Sequence, residues 1–202
     1  MIQLGTTIDK RYEIEAVLGR GGMGTVYLVR HVALDRRYAL KELTLPGPGA
    51  EAQFLAEARI LAGLQHPALP RVSDHFVVRG RSYLVMDHVP GEDLQALLDA
   101  RGAPFTAAEV LPWLHQLLDA LAYVHGQGVV HRDIKPANLK VGPDGKLALV
   151  DFGIAKAAGP AGAPGRTAFG AHGAFTPHMA APEQVMGQAT GPRTDLYAVG
   201  AT

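Results

Sequence analysis

Apolar and polar residues alternate along Tyr12 to Leu18 (YEIEAVL), and Val26 to Val29 (VYLV) is rich in strand formers, so both segments are expected to be strands. Arg37 to Leu43 (RYALKEL) reads as a third, and Val72 to Val78 and Ser82 to Asp87 as two more, joined at Arg79-Gly80-Arg81. Between them the period changes. After the break Pro46-Gly47-Pro48-Gly49, Phe54, Ala58, Leu61 and Leu64 recur at helical spacing, predicting a helix from about Glu51 to Leu64. Asp87-His88-Val89-Pro90-Gly91 is a short polar joint, where a two-lobed fold would hinge. Beyond it, Glu92 to Arg101 can form a short helix. Thr106-Ala107-Ala108-Glu109 is a capping box that opens a longer one to about His125. Its expected buried stripe is Val110, Leu114, Leu117, Leu118 and Leu121; Pro112 sits near its first turns, Trp113 packs, and Gly126 and Gly128 end it. Leu147 to Val150 is a short buried strand after the turn Pro143-Asp144-Gly145-Lys146.

Composition narrows the function classes. The 202 residues are 48% hydrophobic and 19% charged, ordinary for a soluble globular protein and enough for one large domain or two small lobes. Nineteen basic and 19 acidic side chains cancel, so nothing suggests a general nucleic-acid or anionic-membrane binder. The chain has no cysteine, which excludes disulfides, thiolate metal sites and cysteine nucleophiles and fits a reducing cytoplasm. No apolar run approaches the ~20 residues that cross a bilayer, and Met1 to Tyr12 lacks the apolar core of a secretory signal.

Two glycine- and charge-rich stretches carry the candidate chemistry. Gly19-Arg20-Gly21-Gly22-Met23-Gly24 matches G-x-G-x-x-G, in which bare glycines let backbone amides approach phosphate oxygens. Dinucleotide-binding folds use the same spacing but open a helix there, whereas strand formers flank it here. A plain glycine-rich hairpin remains the alternative for this segment alone. The second stretch is His131-Arg132-Asp133-Ile134-Lys135-Pro136-Ala137-Asn138. Its spacing suits a loop in which Asp133 accepts a hydroxyl proton, Lys135 neutralises phosphate charge and Asn138 holds a divalent ion. Pro136 argues against a helix here; a charged surface turn is the alternative. Nine histidines invite a zinc reading, but none shows metal-ligand spacing, and His131 is assigned to packing and hydrogen bonding.

The run from His131 to Asn138 resembles the catalytic loop of protein kinases, H-R-D-x-x-x-x-N. The motif order from the glycine loop through Lys41, Glu57, the catalytic loop, Asp151-Phe152-Gly153 and Ala181-Pro182-Glu183 is similar to that of bacterial Hanks-type serine/threonine kinases, over Gly19 to Asp195. The resemblance implies an α+β, two-lobed kinase-like fold. Residues 1–89 would be an N-lobe with a small antiparallel sheet and one main helix, the hinge would lie at about 87–91, and residues 90–202 would be a mostly helical C-lobe, incomplete at its C-terminal end. It implies γ-phosphoryl transfer from Mg-ATP (Mn2+ being the alternative metal) to Ser/Thr hydroxyls of protein substrates, with Asp133, Lys135, Lys41 and Glu57 catalytic and Asn138 and Asp151 on the metal. The nucleotide set is Gly19, Gly21, Gly22, Gly24, Val26, Ala39, Lys41, Met86, Asp87, Val89 and Lys140. Lys41 would meet the α- and β-phosphates and pair with Glu57; an exposed strand lysine and a rim carboxylate are the bland alternatives.

Lys140 departs from the family's usual aliphatic residue beneath adenine. Its methylene stem is expected to pack on the base; a surface lysine is the alternative. Arg132 is the residue that loop-regulated kinases use to grip a loop phosphate, and Thr167 is the expected autophosphorylation site, with a dimer as the route. Thr176 aligns with a threonine contacting Asp133 and Lys135. Phe175-Thr176-Pro177-His178-Met179 departs from the usual Gly-Thr-x-Gly-Tyr, and Asp195 resembles the aspartate that braces the catalytic loop. A cytoplasmic location, no nucleic-acid partner and no membrane segment in this chain complete the expectation. The competing function is a nucleotide-binding or regulatory module that transfers nothing.

Overall fold

The alternating segment that starts at Tyr12 runs on as a strand to Gly21 (β2) and returns as Gly24–His31 (β3). Thr7–Ile8 (β1), Arg36–Leu43 (β4), Val72–Val78 (β5) and Arg81–Asp87 (β6) complete an antiparallel sheet ordered β1-β2-β3-β4-β6-β5. The structure, a computed structural model, describes residues 2–21, 24–43, 55, 58–152 and 179–202. It divides into one unit of Met1–Leu64 with Pro70–His88 and a second of Gln65–Leu69 with Val89–Thr202.

In a flat sheet β2 and β5, four strand positions apart, would be separated by roughly 19 Å. Instead the rings of Tyr12 and Phe76 stack with centroids 5.6 Å apart, and Arg11 Nη1 reaches Asp74 Oδ2 at 2.7 Å. The sheet is therefore strongly curled. Register shifts in β2 (Ile14/Ala16 and Val17/Gly19) and in β5 (Val72/Asp74) supply local twist of the kind bulges introduce. The curl encloses Ile8, Tyr12, Ile14, Tyr27, Val29, Leu40, Tyr83 and Val85. Because opposed residues share a face and successive ones alternate, this core takes one face of the sheet. The opposite face carries Val26, Lys41 and Leu84 in one cross-strand row, with Ala39 opposite Met86 beside it.

A helix described over residues 58–62 (α1) follows in this unit. Ala58, Leu61 and Leu64 are buried as their spacing predicts, while Glu51 to Phe54 and Glu57 lie outside the described residues.

In the second unit, residues 65–69 are tied to helix Ala107–Gly126, here α3, and to strand Leu147–Leu149, here β9. Gln65 N–H donates to Tyr123 Oη, His66 pairs with Asp119 at 3.1 Å, and Leu149 N–H donates to Ala68 O. Glu92 and Asp93 do not begin a helix: they form a short strand, β7, against Leu139–Val141 (β8), which pairs in turn with β9. Asp93 then caps helix α2, Leu94–Arg101, by accepting from Ala96 N–H. In α3 the buried residues are Leu117, Ala120, Leu121 and Val124, whereas Val110 and Leu118 are exposed, so the expected stripe was rotated. The capping box expected at Thr106 is present, with Glu109 accepting from both the Thr106 N–H and its hydroxyl. Pro182–Val185 (α4) and Pro192–Ala201 (α5) close the described part.

The curl predicts a graded response at Tyr12. Tyr12→Phe keeps the ring on Phe76 and loses only the 3.3 Å hydroxyl bond to Asp74, costing about 1 kcal/mol. Tyr12→Ala removes the stacking partner and should cost about 3–5 kcal/mol; urea unfolding midpoints of the two variants check the order.

Candidate active site

The loop His131 to Asn138 is an irregular connection whose backbone bonds go to side chains. Arg132 has φ +66° and Asp151 φ +59°, left-handed conformations unusual for residues with a Cβ. Arg132 is held there by Asp195, only 1% exposed. Its Oδ1 accepts the Arg132 N–H at 2.7 Å, and its Oδ2 accepts the His131 N–H and bonds His125 Nε2, both at 2.8 Å. The Arg132 guanidinium Nε donates to Thr190 Oγ1, and its carbonyl accepts from Gln184 Nε2 at 3.0 Å.

His131 is fully enclosed. Asp133 N–H points at its Nδ1 at 3.3 Å, and its Nε2 lies 3.3 Å from Val150 O, an arrangement that needs a neutral ring protonated at Nε2. Burial pushes its pKa down to about 4, against the opposing pull of the Asp195 and Asp133 carboxylates. Its ring centroid is 4.6 Å from that of Phe152.

Asp133 comes out of this frame with its carboxylate held on two sides. Lys135 Nζ is 3.2 Å from Oδ2, and Asn138 Nδ2 donates to Oδ2 at 3.1 Å and to the Asp133 carbonyl at 2.7 Å. Pro136 does not prevent helical geometry here. Pro136–Asn138 is a 3-10 turn with proline at its start, where its missing N–H costs nothing. That turn buries Asn138 and aims its amide at Asp133. Val150 N–H donates to Asn138 O, which brings the next residue, half-buried Asp151, alongside the loop.

In the first unit the nucleotide candidates cluster on the sheet face away from the aromatic core. Gly19 opposes Val26, Val26 opposes Lys41, and Ala39 opposes Met86. Lys41 is 6% exposed. Asp87 pairs with Arg36 at 3.0 Å. Gly24 is required by the fold, because at φ +137° an added Cβ would lie 1.8 Å from Glu42 O. A Cβ at Gly19 or Gly21 meets no atom within 4 Å among the described residues. Val89 and Lys140 belong to the second unit, and Lys140 is half-buried on β8 between Asp93 and Ala148. Gly22, Glu57, Gly153, Thr167 and Thr176 lie outside the described residues. Asp195 was anticipated; His125, Thr190 and Gln184 were not. Among the described residues no group of three or more His, Asp or Glu could hold a metal, and no helix is long and apolar enough to cross a membrane.

The architecture and the loop define a kinase catalytic domain, and comparison with known proteins agrees. The family model described as "Protein kinase domain" matches residues 12–202. Serine/threonine-protein kinase PknJ of Mycobacterium tuberculosis is 40% identical over 94% of this chain and 32% of that protein. Serine/threonine-protein kinase pkn2 of Myxococcus xanthus is 36% identical over 96% of this chain and 24% of that protein. The chain thus spans about a quarter to a third of the length of these two relatives. A solved structure titled "PpkA-294 apo form" superposes with a TM-score of 0.80 at 27% identity, covering 99% of this chain and 76% of that one. The chain belongs to the protein kinase domain family, and its fold is the α+β kinase fold.

Two outcomes follow from this geometry. Gly24→Ala should cost about 2–3 kcal/mol in denaturant unfolding because backbone strain and a backbone clash coincide, while Gly19→Ala stays within about 1 kcal/mol of the parent. The depressed His131 pKa stabilises the fold while the ring is neutral. That contribution is full above pH ~6.5, falls as pH drops toward about 4, and totals on the order of 3 kcal/mol. His131→Phe should therefore show a shallower loss of stability between pH 6.5 and 4, measured by unfolding at a series of pH values.

Proposed function

We propose that the chain is the catalytic part of a serine/threonine protein kinase that transfers the γ-phosphoryl of ATP to hydroxyls of protein substrates. The observation that carries this reading is the Asp133 carboxylate, fixed between Lys135 Nζ at 3.2 Å and Asn138 Nδ2 at 3.1 Å. In the proposed step Asp133 orients the substrate hydroxyl and takes its proton. The hydroxyl oxygen bonds to the γ-phosphorus as the bond to the β-phosphate oxygen breaks, and ADP leaves. Lys135 lies where its charge can offset that building on the transferred group. Lysine in the catalytic loop is the feature that points to serine and threonine acceptors.

Residues 1–89 are the nucleotide clamp in this reading. Gly19, Gly21, Gly22 and Gly24 offer backbone amides to phosphate, and the open space at Gly19 and Gly21 suits that role. Val26, Ala39 and Met86 face the base and sugar, the backbone from Asp87 to Val89 hydrogen-bonds adenine, and Lys41, paired with Glu57, meets the α- and β-phosphates. Residues 90–202 supply the transfer machinery and the base-supporting stem of Lys140. Asn138 suits a hard divalent ion. Its Nδ2 is spent on Asp133, and among the described residues its amide oxygen accepts no hydrogen bond. Asn138 and Asp151 would hold Mg2+ or Mn2+, which supplies charge neutralisation at the phosphate oxygens. A cytoplasmic location and a dimer that phosphorylates itself at Thr167 belong to the same reading. The contacts of Asp133 with Lys135 and Asn138 support transfer over a nucleotide binder that transfers nothing.

Residues 1–202 incubated with γ-labelled ATP and Mg2+ should incorporate label on Ser or Thr. Asp133→Asn should lower incorporation by about 10²–10⁴-fold with ATP binding retained. Equal incorporation by the variant, or none by the parent, contradicts the reading.

A further inference from the structure

Gln184, on the short helix α4, is a buried amide at 8% exposure, and both ends of its side chain are used. Its Oε1 accepts the Ala181 N–H at 3.1 Å, and its Nε2 donates to the Arg132 carbonyl at 3.0 Å. That carbonyl belongs to the peptide joining Arg132 to Asp133. The N–H of the same peptide points at His131 Nδ1 at 3.3 Å. The peptide plane directly before Asp133 is thus pinned at both ends by side chains from separate segments. The preceding N–H, that of Arg132, is taken by Asp195. Gln184 also lines a small cavity together with Asp133, Met179 and Ala198.

We propose that Gln184 is a positioning residue for phosphoryl transfer: by donating to the Arg132 carbonyl it sets the rotation of the Arg132–Asp133 peptide and hence the direction of the Asp133 carboxylate. This rests on the kinase reading above. It adds that the segment around α4 governs the catalytic loop through a single neutral donor. Asp195 only accepts, and the one ring N–H of His131 faces Val150 O, so neither supplies the donor that this carbonyl needs.

The Gln184→Glu variant tests this with one bond changed. The new side chain has the same shape and still accepts from Ala181. When ionised it has no donor and sets a carboxylate against the Arg132 carbonyl; when protonated it can donate again. Two readouts follow, each taken as the ratio of variant to parent at the same pH. For transfer to dephosphorylated casein at pH 8, kcat should fall about tenfold with the KM for ATP unchanged, and the ratio should recover as pH is lowered to 5.5. Hydrogen exchange at the His131, Arg132 and Asp133 amides without nucleotide should be about tenfold faster at pH 8 and approach the parent at pH 5.5. A pH-independent exchange ratio, or exchange equal to the parent at pH 8, overturns the proposal. A change in KM for ATP alone, with kcat intact, overturns it too. If the parent transfers no phosphate while exchange behaves as stated, the kinase reading fails and the positioning role of Gln184 stands.

Discussion

A single buried carboxylate holds the active loop in a shape it would not adopt alone. Asp195 binds three N–H groups, from the His131 and Arg132 backbones and the His125 ring, with two oxygens almost fully removed from water. Burying an ionised carboxylate is costly unless its lone pairs are filled, and these donors fill them. The return is an Arg132 backbone at φ +66°, a conformation that costs on the order of 1–3 kcal/mol and that turns the following residue, Asp133, toward Lys135 and Asn138. No regular ladder satisfies the His131 and Arg132 amides, and the bracket supplies their partners.

The same logic of closure operates in the first unit with apolar groups. Curling brings Tyr12 on β2 against Phe76 on β5 and seals an aromatic core on one face. The other face carries Val26, Ala39, Leu84 and Met86 around the buried Lys41.

Local pattern carried much of this. Five strands appear where alternation and β-branched content place them, although β4 and β6 are buried on both faces over most of their length. The helical pattern at Ala107 was equally legible in extent but not in rotation. Leucine and valine occupy positions all round α3, and small Ala120 marks the packed side where Leu118 does not. The curl of the sheet could not be read, since it depends on rings 64 residues apart (12 to 76). Glu92 and Asp93 looked helical because their strand partner, Val141 and Lys140, comes nearly fifty residues later. The motif Asp133, Lys135 and Asn138 was visible because its chemistry needs fixed types at short spacing. His125, Thr190 and Gln184 were invisible for the opposite reason: each meets its partner 52 to 70 residues away and has no local signature.

The central claim is that the Asp195 bracket, rather than any contact with substrate, sets the position of Asp133 on which the proposed transfer depends. Asp195→Asn replaces one acceptor oxygen by an NH2 group facing an N–H donor, at nearly unchanged volume. The direct test is the rate of labelled phosphate transfer by this variant, with far-ultraviolet circular dichroism confirming that it is folded. A fall of about a hundredfold in the folded variant is the expected result. Transfer at the parent rate would contradict the account.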